Sequence, residues 1–496
     1  MEHLLAAVDL GSNSFRLSIG RVVQQEAGIA QIYQIDRLKE TVRLAAGLDA
    51  SKRLSDDAIA RAIAVLERFG ERLRSFHPNR VRAVATNTFR VARNTPEFLP
   101  RASEALGFPI EVIAGREEAR LIFSGVAHSL PPSTTKRLVV DIGGGSTEVI
   151  IGKGFEPVLM SSLYMGCVSY SRQFFPDGEV DAHSMRQAEL AARREIEVIA
   201  KEYGKTGWKE AFGSSGTAKA LYAILTECGF SSNGITREGL NKLKDHIIRA
   251  GRVVPAQLPG IKVERADVLP GGLAIMSAIF DELGIKQMNT GDGALRLGVL
   301  YDLLGRDDQH DKRDESVRQF IKRYHVDVRQ ANRVRRTALE LFDPLLPDGA
   351  AKTELKQALG WAADLHEVGL SIAHNGYHRH SAYVLENADM PGFSKADQAL
   401  LALLALGHQG KLAKVEPLVA NREQWLAILC LRLASLLLRR REDIEELPVT
   451  ISVRNDSIVL RVSREWRKNH PLTDFTLVNE ESEWRKIGFA FELLEF

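Results

Sequence analysis

Two stretches of this chain carry residue types suited to phosphate and metal chemistry, in nearly the same order. "VDLGSNSFRLSIG" begins at Val8 and "VDIGGGSTEVIIG" at Val140. Each is an apolar run ending in Asp, then Gly, then small polar residues, then apolar residues closing on Gly. A strand that ends in Asp-x-Gly and turns straight back forms a tight hairpin, because Gly accepts positive φ and lets the backbone approach a ligand. The small polar residues leave N–H and hydroxyl donors free to cradle phosphate oxygens. A carboxylate at the strand end suits hydrated Mg²⁺. Either hairpin alone is also compatible with a glycine-rich turn that binds nothing. Repetition of both the Asp and the turn argues for two duplicated halves facing one cleft.

Three further features join this set. "GSSGT", Gly213 to Thr217, follows an apolar strand and opens a helix, where backbone donors favour anions. "GREEARLI" places Glu117 and Glu118 in a first helical turn. There they either complement the helix dipole or turn one carboxylate into the cleft to deprotonate water, and spacing does not choose. Glu148 follows the second turn on a strand, where alternation can point it back toward Asp141.

The elements that would position these residues follow from pattern. "LLAAVDL", "FRLSIGRVV", "IAQIYQI", "VRAVAT" and "IEVIAG" read as strands. Ser55 caps an amphipathic helix with Asp56 and Asp57 in its first turn and Ile59, Ile63, Leu66 and Leu73 on its apolar face. Thr95-Pro96 opens another helix by the N-cap and N1-proline rule. After the loop at Pro131 the pattern restarts, with a long helix from Asp181 to Tyr203 and then the strand–turn–helix "WKEAFGSSGTAKALYAIL". "GRDDQHDKRDE" at Gly305 reads as a linker. Residues from Ser316 to Arg441 read as helical. "PVTISVR", Asn455-Asp456 and "SIVLRVS" read as a hairpin, with a helix and the strand "IGFAFELLEF" to follow. The expected organisation is two α/β halves, 1–125 and 126–304, a helical domain, 305–443, and a small α+β domain, 444–496.

Composition bounds the function. The 496 residues are 45% hydrophobic and 26% charged, ordinary for a globular chain able to bury several cores. A net charge of +2 gives no global attraction for nucleic acid, so none is expected as partner. Cys167, Cys228 and Cys430 are scattered, with no CxxC pair, and read as free thiols in a reducing compartment, hence a cytoplasmic location. No targeting leader is expected from "MEHLLAAVDL". "WLAILCLRLASLLLRRR" from Trp425, interrupted by Arg432, reads as a buried helix rather than a membrane span.

Taken together, "VDLGSNSFRL", "ATNTFR", "GREEARLI", "VVDIGGGSTEVIIG", "FGSSGTAKA", "ERADVLPGG" and "GDGALRLGVLY" resemble the exopolyphosphatase / guanosine pentaphosphate phosphohydrolase family. "LHEVGLSIAHNGYHRHSAYVLENADMPGF" resembles the helical domain of its long members. The resemblance implies a duplicated actin-like ATPase α/β fold of the sugar kinase, actin and Hsp70 superfamily, followed by an all-α HD-like domain and the small α+β domain. It implies Glu118 as general base for the attacking water, and Asp141 and Glu148 as ligands of Mg²⁺, with a monovalent cation such as K⁺ as a stimulant. It implies Arg90 and Arg265 as phosphate clamps. Gly11, Ser12, Asn13 and Ser14, then Gly143, Gly144, Gly145 and Ser146, then Gly213, Ser214, Ser215, Gly216 and Thr217 match the phosphate-cradling turns, and Arg16 is a further phosphate contact. A homodimer is also implied.

Hydrolysis of a terminal phosphoanhydride needs charge neutralised on the transferring group and a water in line, which this set supplies. "DIGGGS" and "GDGALR" sit closer to the exopolyphosphatase side of the family, which makes polyphosphate the expected substrate. Guanosine pentaphosphate is the alternative, and a kinase of the same fold or a non-catalytic sensor are the rivals. A basic channel for a long chain has Arg333, Arg335, Arg336 and Arg439 to Arg441 as candidates, against the alternative of solvated helix faces. His366, His374, His378, His380 and His408 are reminiscent of metal-dependent HD enzymes. That chemistry wants His-Asp where this chain has His366-Glu367, so no catalytic metal is expected there.

Overall fold

The computed structural model describes residues 4–24, 30–307, 311–454 and 457–496. It divides into two compact units, Met1–Asp311 and Lys312–Phe496.

The first unit is built twice on one plan. Strands β1 (Leu4–Leu10), β2 (Ser14–Gln24) and β3 (Ala30–Thr41) run antiparallel. Helix α1 (Asp56–Leu73) leads to β4 (Val81–Ala85), which returns parallel to β1. Helices α2 (Asn87–Val91) and α3 (Thr95–Leu106) precede β5 (Ile110–Val112) and α4 (Gly115–Ser129). The sheet order is β3-β2-β1-β4-β5. The second half repeats it. Strands β6 (Lys136–Ile142), β7 (Thr147–Lys153) and β8 (Glu156–Leu163) are antiparallel. Helices α5 (Cys167–Phe174) and α6 (Ala182–Thr206) lead to β9 (Glu210–Gly213), parallel to β6. Then come α7 (Gly216–Glu227), β10 (Ile235–Thr236), α8 (Arg237–Ala250), α9 (Leu269–Leu283), β11 (Gln287–Thr290) and α10 (Leu295–Asp307). The order β8-β7-β6-β9-β11 matches the first sheet, with β10 added at the edge.

Ser55 caps α1 by accepting from the Ala58 N–H at 3.3 Å, as its sequence suggests. Thr95 is not an N-cap. It is the first residue of α3, and Asn94 precedes it, with its amide bound to the Leu54 N–H and carbonyl at 2.9 and 3.0 Å. The Thr95 hydroxyl donates to the Phe89 carbonyl instead, at 2.8 Å. The expected linker is also shorter than its composition suggests. Residues 305–307 continue α10, where Arg306 pairs with Asp302 at 3.3 Å, and α11 (Lys312–Arg323) is helical from Lys312. Residues 308–310 lie outside the described residues.

Helices α4 and α10 pack together in a core that also takes Leu5 and Ala7 from β1 and Val139 and Ile150 from the second sheet. Leu121, Ile122, Val126, Val299 and Leu300 fill it. A buried ion network fixes the start of α4 within this core. Arg82 donates to Asp302 at 2.6 Å and to Glu111 at 2.9 Å. Arg120 donates to Glu117 at 2.7 Å and also to Asp302. Burial alone would raise the Asp302 pKa, but Arg120, Arg82 and Arg306 together pull it well below the usual carboxylate range. A depressed folded-state pKa contributes stability at neutral pH that is lost as pH falls through that pKa. Asp302→Asn strips charge from beside two buried guanidiniums, so it is expected to cost about 3 kcal/mol near pH 7. Thermal unfolding checks this, and the gap from the parent should narrow in acid.

The second unit is helical, then mixed. Helices α11, α12 (Val328–Phe342), α13 (Ala350–Leu365), α14 (Tyr377–Asn387), α15 (Lys395–Gly407) and α16 (Arg422–Leu437) precede an antiparallel pair, β12 (Val449–Arg454) and β13 (Ser457–Val462). The expected turn at Asn455-Asp456 lies outside the described residues. Helices α17 (Arg464–Asn469) and α18 (Pro471–Lys486) lead to β14 (Ala490–Glu495), parallel to β13. Val449, Ile458, Leu460, Trp484 and Phe491 of this terminal part share one core with α12, α13, α15 and α16.

Helix α16 is the apolar run from Trp425, and it is buried. Arg432 is tolerated inside it because Glu480 takes its guanidinium at 2.8 and 2.5 Å and the Gly407 and Gly410 carbonyls accept at 2.8 and 2.9 Å. Among the described residues no helix is long and apolar enough to cross a membrane.

Candidate active site

The two hairpins place their chemistry at equivalent positions. In the first, Asp9 lies directly across from Arg16; in the second, Asp141 lies directly across from Glu148. Cross-strand partners share a sheet face, so the first hairpin presents an acid–base pair and the second two acids. Both turns line one cleft, Gly11 to Ser14 on one side and Gly143 to Ser146 on the other. None of these glycines has positive φ. They are small because the walls are close: a Cβ on Gly144 would meet the Ser12 Cβ at 3.1 Å, and one on Gly145 would strike the Asn87 amide. Ser12 is held by the Thr88 hydroxyl at 2.8 Å.

The third turn joins them in part. Ser214, Ser215 and Gly216 line the cleft. Gly213 and Thr217 do not. Gly213 ends β9, and the Thr217 hydroxyl donates to the Ile142 carbonyl at 3.1 Å, so it braces the second hairpin rather than offering a donor to a ligand. Arg265 reaches the cleft by lying against Gly216, where any Cβ would collide with its guanidinium. Arg16 lines the same space.

The carboxylates are layered. Glu118 and Asp141 line the cleft, and Glu148 sits behind them, 1% exposed. Arg90 donates to Glu118 Oε2 at 2.8 Å and to the Ile113 carbonyl at 2.9 Å. Arg90 is set behind the cleft lining, with one guanidinium nitrogen committed to Glu118 and the Ile113 carbonyl, where it orients Glu118. Ser214 donates to Asp141 Oδ2 at 2.6 Å, and Ser162 to Glu148 Oε1 at 2.8 Å. Burial pushes the Glu118 pKa up, Arg90 opposes it, and the charges of Asp9 and Asp141 add to the rise. Burial pushes Asp141 up as well. Glu148 is raised furthest, by burial and then by Glu118 and Asp141. Buried carboxylates that repel one another suit a divalent cation, which would rest on two of them with water, since among the described residues no group of three metal-ligating side chains gathers here.

Several polar residues of the cleft, Asp9, Asn87, Cys167 and Arg296 among them, are given no role in the site by the sequence. Asp9 had a visible signal, since the repeat aligns it with Asp141. Arg296, within "GDGALRLG", bonds the Ser18 hydroxyl at 2.9 Å and approaches Asp9 at 3.6 Å. Asn87, within "ATNTFR", faces Gly145. Cys167 is a buried free thiol as expected, but it lines the cleft, and burial pushes its pKa up.

A groove leaves the cleft, sharing Arg16, Gly216, Arg265 and Arg296 with it. It adds Arg37, Lys39, Lys219 and Lys262, and among the described residues no carboxylate lines it. Among the described residues Lys219 is the one of these four additions in an ion pair, with the exposed Asp292 at 2.8 Å, while Glu264 lies near enough to Lys39 to oppose its shift. Burial lowers the Lys39 pKa, and Arg16 and Arg265 lower it further, a sign of crowded positive charge. The basic residues of the helical unit are instead largely neutralised. Arg333 pairs with Asp443 at 2.8 Å and Arg335 with Asp364; Arg440 pairs with Glu442 at 3.2 Å, and Arg441 with Asp327 at 3.0 Å and Glu367 at 2.6 Å. Arg336 and Arg439 form no ion pair among the described residues, so unpaired positive charge remains in the helical unit as well as in the first-unit groove.

The sequence pattern of the Ppx/GppA phosphatase family matches residues 21–307, and that of the family's domain III matches residues 312–481. The chain belongs to the Ppx/GppA phosphatase family. A Ppx/GppA family member from Aquifex aeolicus is similar at 26% identity and a TM-score of 0.52, over 61% of this chain and 98% of that one. An exopolyphosphatase-like protein is similar at 25% identity and 0.53, over 61% and 99%. An exopolyphosphatase from Cytophaga hutchinsonii is 22% identical at 0.53, over 61% and 98%, a likeness of fold. The duplicated sheets of this Ppx/GppA phosphatase are the actin-like ATPase type, with a helical C-terminal region.

Proposed function

We propose that this Ppx/GppA phosphatase is an exopolyphosphatase that releases terminal orthophosphate from inorganic polyphosphate, with Glu118 as general base. The observation that carries the substrate is the groove. A linear chain with a charge on every unit needs cations beyond the cleft, and Arg37, Lys39, Lys219 and Lys262 continue the line that Arg16 and Arg265 begin. Guanosine pentaphosphate remains the alternative substrate of this family.

In this reading the terminal phosphate rests among the donors of Ser12 to Ser14, Gly144 to Ser146 and Ser214 to Gly216, with Arg265 on its oxygens. Glu118, with Oε2 committed to Arg90, keeps Oε1 for the water and takes its proton. Asp141 and Glu148 would hold Mg²⁺, with Asp9 beside them, and the repulsion among these acids is what the cation relieves. Bound there, Mg²⁺ neutralises charge on the transferring phosphoryl group. The same reading carries the homodimer, the cytoplasmic location, and an HD-like origin for the helical part in which His366-Glu367 no longer serves a metal.

Phosphate release from long polyphosphate, tripolyphosphate and guanosine pentaphosphate, measured side by side with Mg²⁺, tests the substrate. Long polyphosphate is expected to give the highest kcat/KM. Lys39→Ala with Lys262→Ala removes one or two charge-assisted bonds to the chain, and is expected to raise KM for long polyphosphate about tenfold while changing tripolyphosphate little. Equal effects on both substrates would remove the groove from the substrate path.

A further inference from the structure

The second unit contains a pocket of its own. Its floor is Gln330, His366 and Ser435, and its rim carries His374, Arg379, Arg439 and Arg441. It encloses about 960 Å³, room for far more than one phosphate and within the range of sites for small organic ligands.

Four independent features of this pocket ask for the same kind of occupant. First, three buried polar atoms on its walls have no hydrogen-bond partner among the described residues: Gln330 Oε1, His378 Nδ1 and Ser435 Oγ. Gln330 is 3% exposed, and its amide nitrogen is already committed to the Leu438 carbonyl at 2.9 Å. The remaining oxygen can only accept, so an N–H or O–H from a ligand would satisfy it. Second, α14 begins at the pocket with Gly376 as N-cap; the Tyr377 and Arg379 N–H groups are bonded to the His374 and Gly376 carbonyls at 3.4 and 2.8 Å, so the helix start offers an anion its dipole and the His378 N–H. Third, Arg379 and Arg439 have no ion-pair partner among the described residues, whereas Arg441 is occupied by Glu367 and Asp327. Fourth, Tyr377 and His374 present rings to the space. The histidines do not assemble a metal site: among the described residues no group of three metal-ligating side chains gathers. His366 and His408 have their Nδ1 atoms on the Ala363 and Ala405 carbonyls at 2.7 and 2.6 Å, and His408 Nε2 is taken by the Tyr377 hydroxyl at 3.1 Å.

We infer that this pocket binds a nucleoside monophosphate, with its phosphate at the start of α14 between Arg379 and Arg439 and an N–H of its base on Gln330 Oε1. Two unpaired guanidiniums match the double negative charge of one phosphate monoester. The orphaned Gln330 oxygen selects a base edge that donates, which both adenine and guanine carry, and the Tyr377 ring gives the base a face to lie on.

Calorimetric titration of the full chain with AMP, GMP, ribose 5-phosphate and inorganic phosphate tests this. At least one nucleotide should bind tenfold or more tighter than ribose 5-phosphate. Arg379→Ala with Arg439→Ala, both exposed and unpaired, should melt at the parental temperature and weaken the nucleotide and ribose 5-phosphate at least tenfold. Gln330→Met should bring the nucleotide down to the affinity of ribose 5-phosphate. Arg265→Ala, in the first unit, should leave nucleotide binding unchanged. Loss of binding in Arg265→Ala with retention in the double variant would assign the nucleotide to the cleft and overturn the proposal. So would equal affinities for all four probes, or no binding of AMP or GMP at millimolar concentration.

Discussion

Glu118→Gln is expected to lower kcat for phosphate release by about 10²–10⁴-fold, the usual contribution of a positioned general base, while polyphosphate still binds. The substitution keeps the size of the side chain and an oxygen for the Arg90 guanidinium, which donates to Oε2 at 2.8 Å. It removes only the ability to take a proton. Because Glu118 lines the cleft without itself being a cation that holds phosphate, KM should move little, and kcat and kcat/KM should fall together. The parental enzyme should show an acid limb set by a carboxyl titrating above the usual range, since burial raises the Glu118 pKa beyond what Arg90 offsets. The base works when ionised, so activity rises with pH through that limb. Phosphate release at the parental rate in Glu118→Gln would end the role assigned to this residue. Loss of both turnover and polyphosphate binding would instead indicate a collapsed cleft, which the melting temperature would reveal.

What can be read from the sequence, and what cannot, divides by how local the deciding interaction is. The pairing of Asp141 with Glu148 is legible because strand alternation alone brings them opposite each other. The two jaws are legible because the chain repeats them. Asp9 is visible in that repeat, yet its partner Arg296 arrives from α10, and nothing near Asp9 announces it. Arg90 lies within a recognisable motif, but its work is decided by Glu118, on a different helix. Thr95 looks like a cap because the rule sees only neighbours, whereas Leu54 claims Asn94 from across the fold. Clusters such as Arg439 to Arg441 stand out in one dimension and draw the expected basic channel to the helical unit. Charge that matters for a ligand is charge left over after pairing, and Asp443, Asp364, Asp327 and Glu367 take Arg333, Arg335 and Arg441 but leave Arg439. Arg16, Arg37, Lys39 and Lys262 are scattered in sequence and gather only when the first unit folds.

Glu148→Gln separates the needs of catalysis from those of folding, in opposite directions. Glu148 is 1% exposed, and its pKa stands well above the usual carboxylate value, first through burial and then through Glu118 and Asp141, against the pull of Arg90 and the Ser162 hydroxyl. A folded-state pKa above the unfolded one contributes stability that is complete at low pH and lost as pH rises through the folded value. In the metal-free chain at pH 8, well above the unfolded carboxyl value, Glu148 therefore works against the fold. Gln keeps the shape and an acceptor for Ser162 without the charge. The metal-free variant is expected to be more stable than the parent by roughly 1–2 kcal/mol at pH 8, the common size of a stabilising substitution at a functional site, and the difference should vanish in acid where the parent is protonated. Mg²⁺ should invert the order. The parent gains stability from the cation by mass action, about 2.7 kcal/mol at a hundredfold excess over Kd, and the variant gains much less because a carboxylate facing Asp141 is gone. Phosphate release should fall about 100-fold or more, as for loss of a group that neutralises transferring charge. Melting curves at pH 5 and 8, with and without Mg²⁺, read the stability effects in one experiment. If parent and variant gain equally from Mg²⁺, Glu148 does not hold the cation, and the raised carboxyl serves Glu118 alone by keeping a proton or a negative charge behind it.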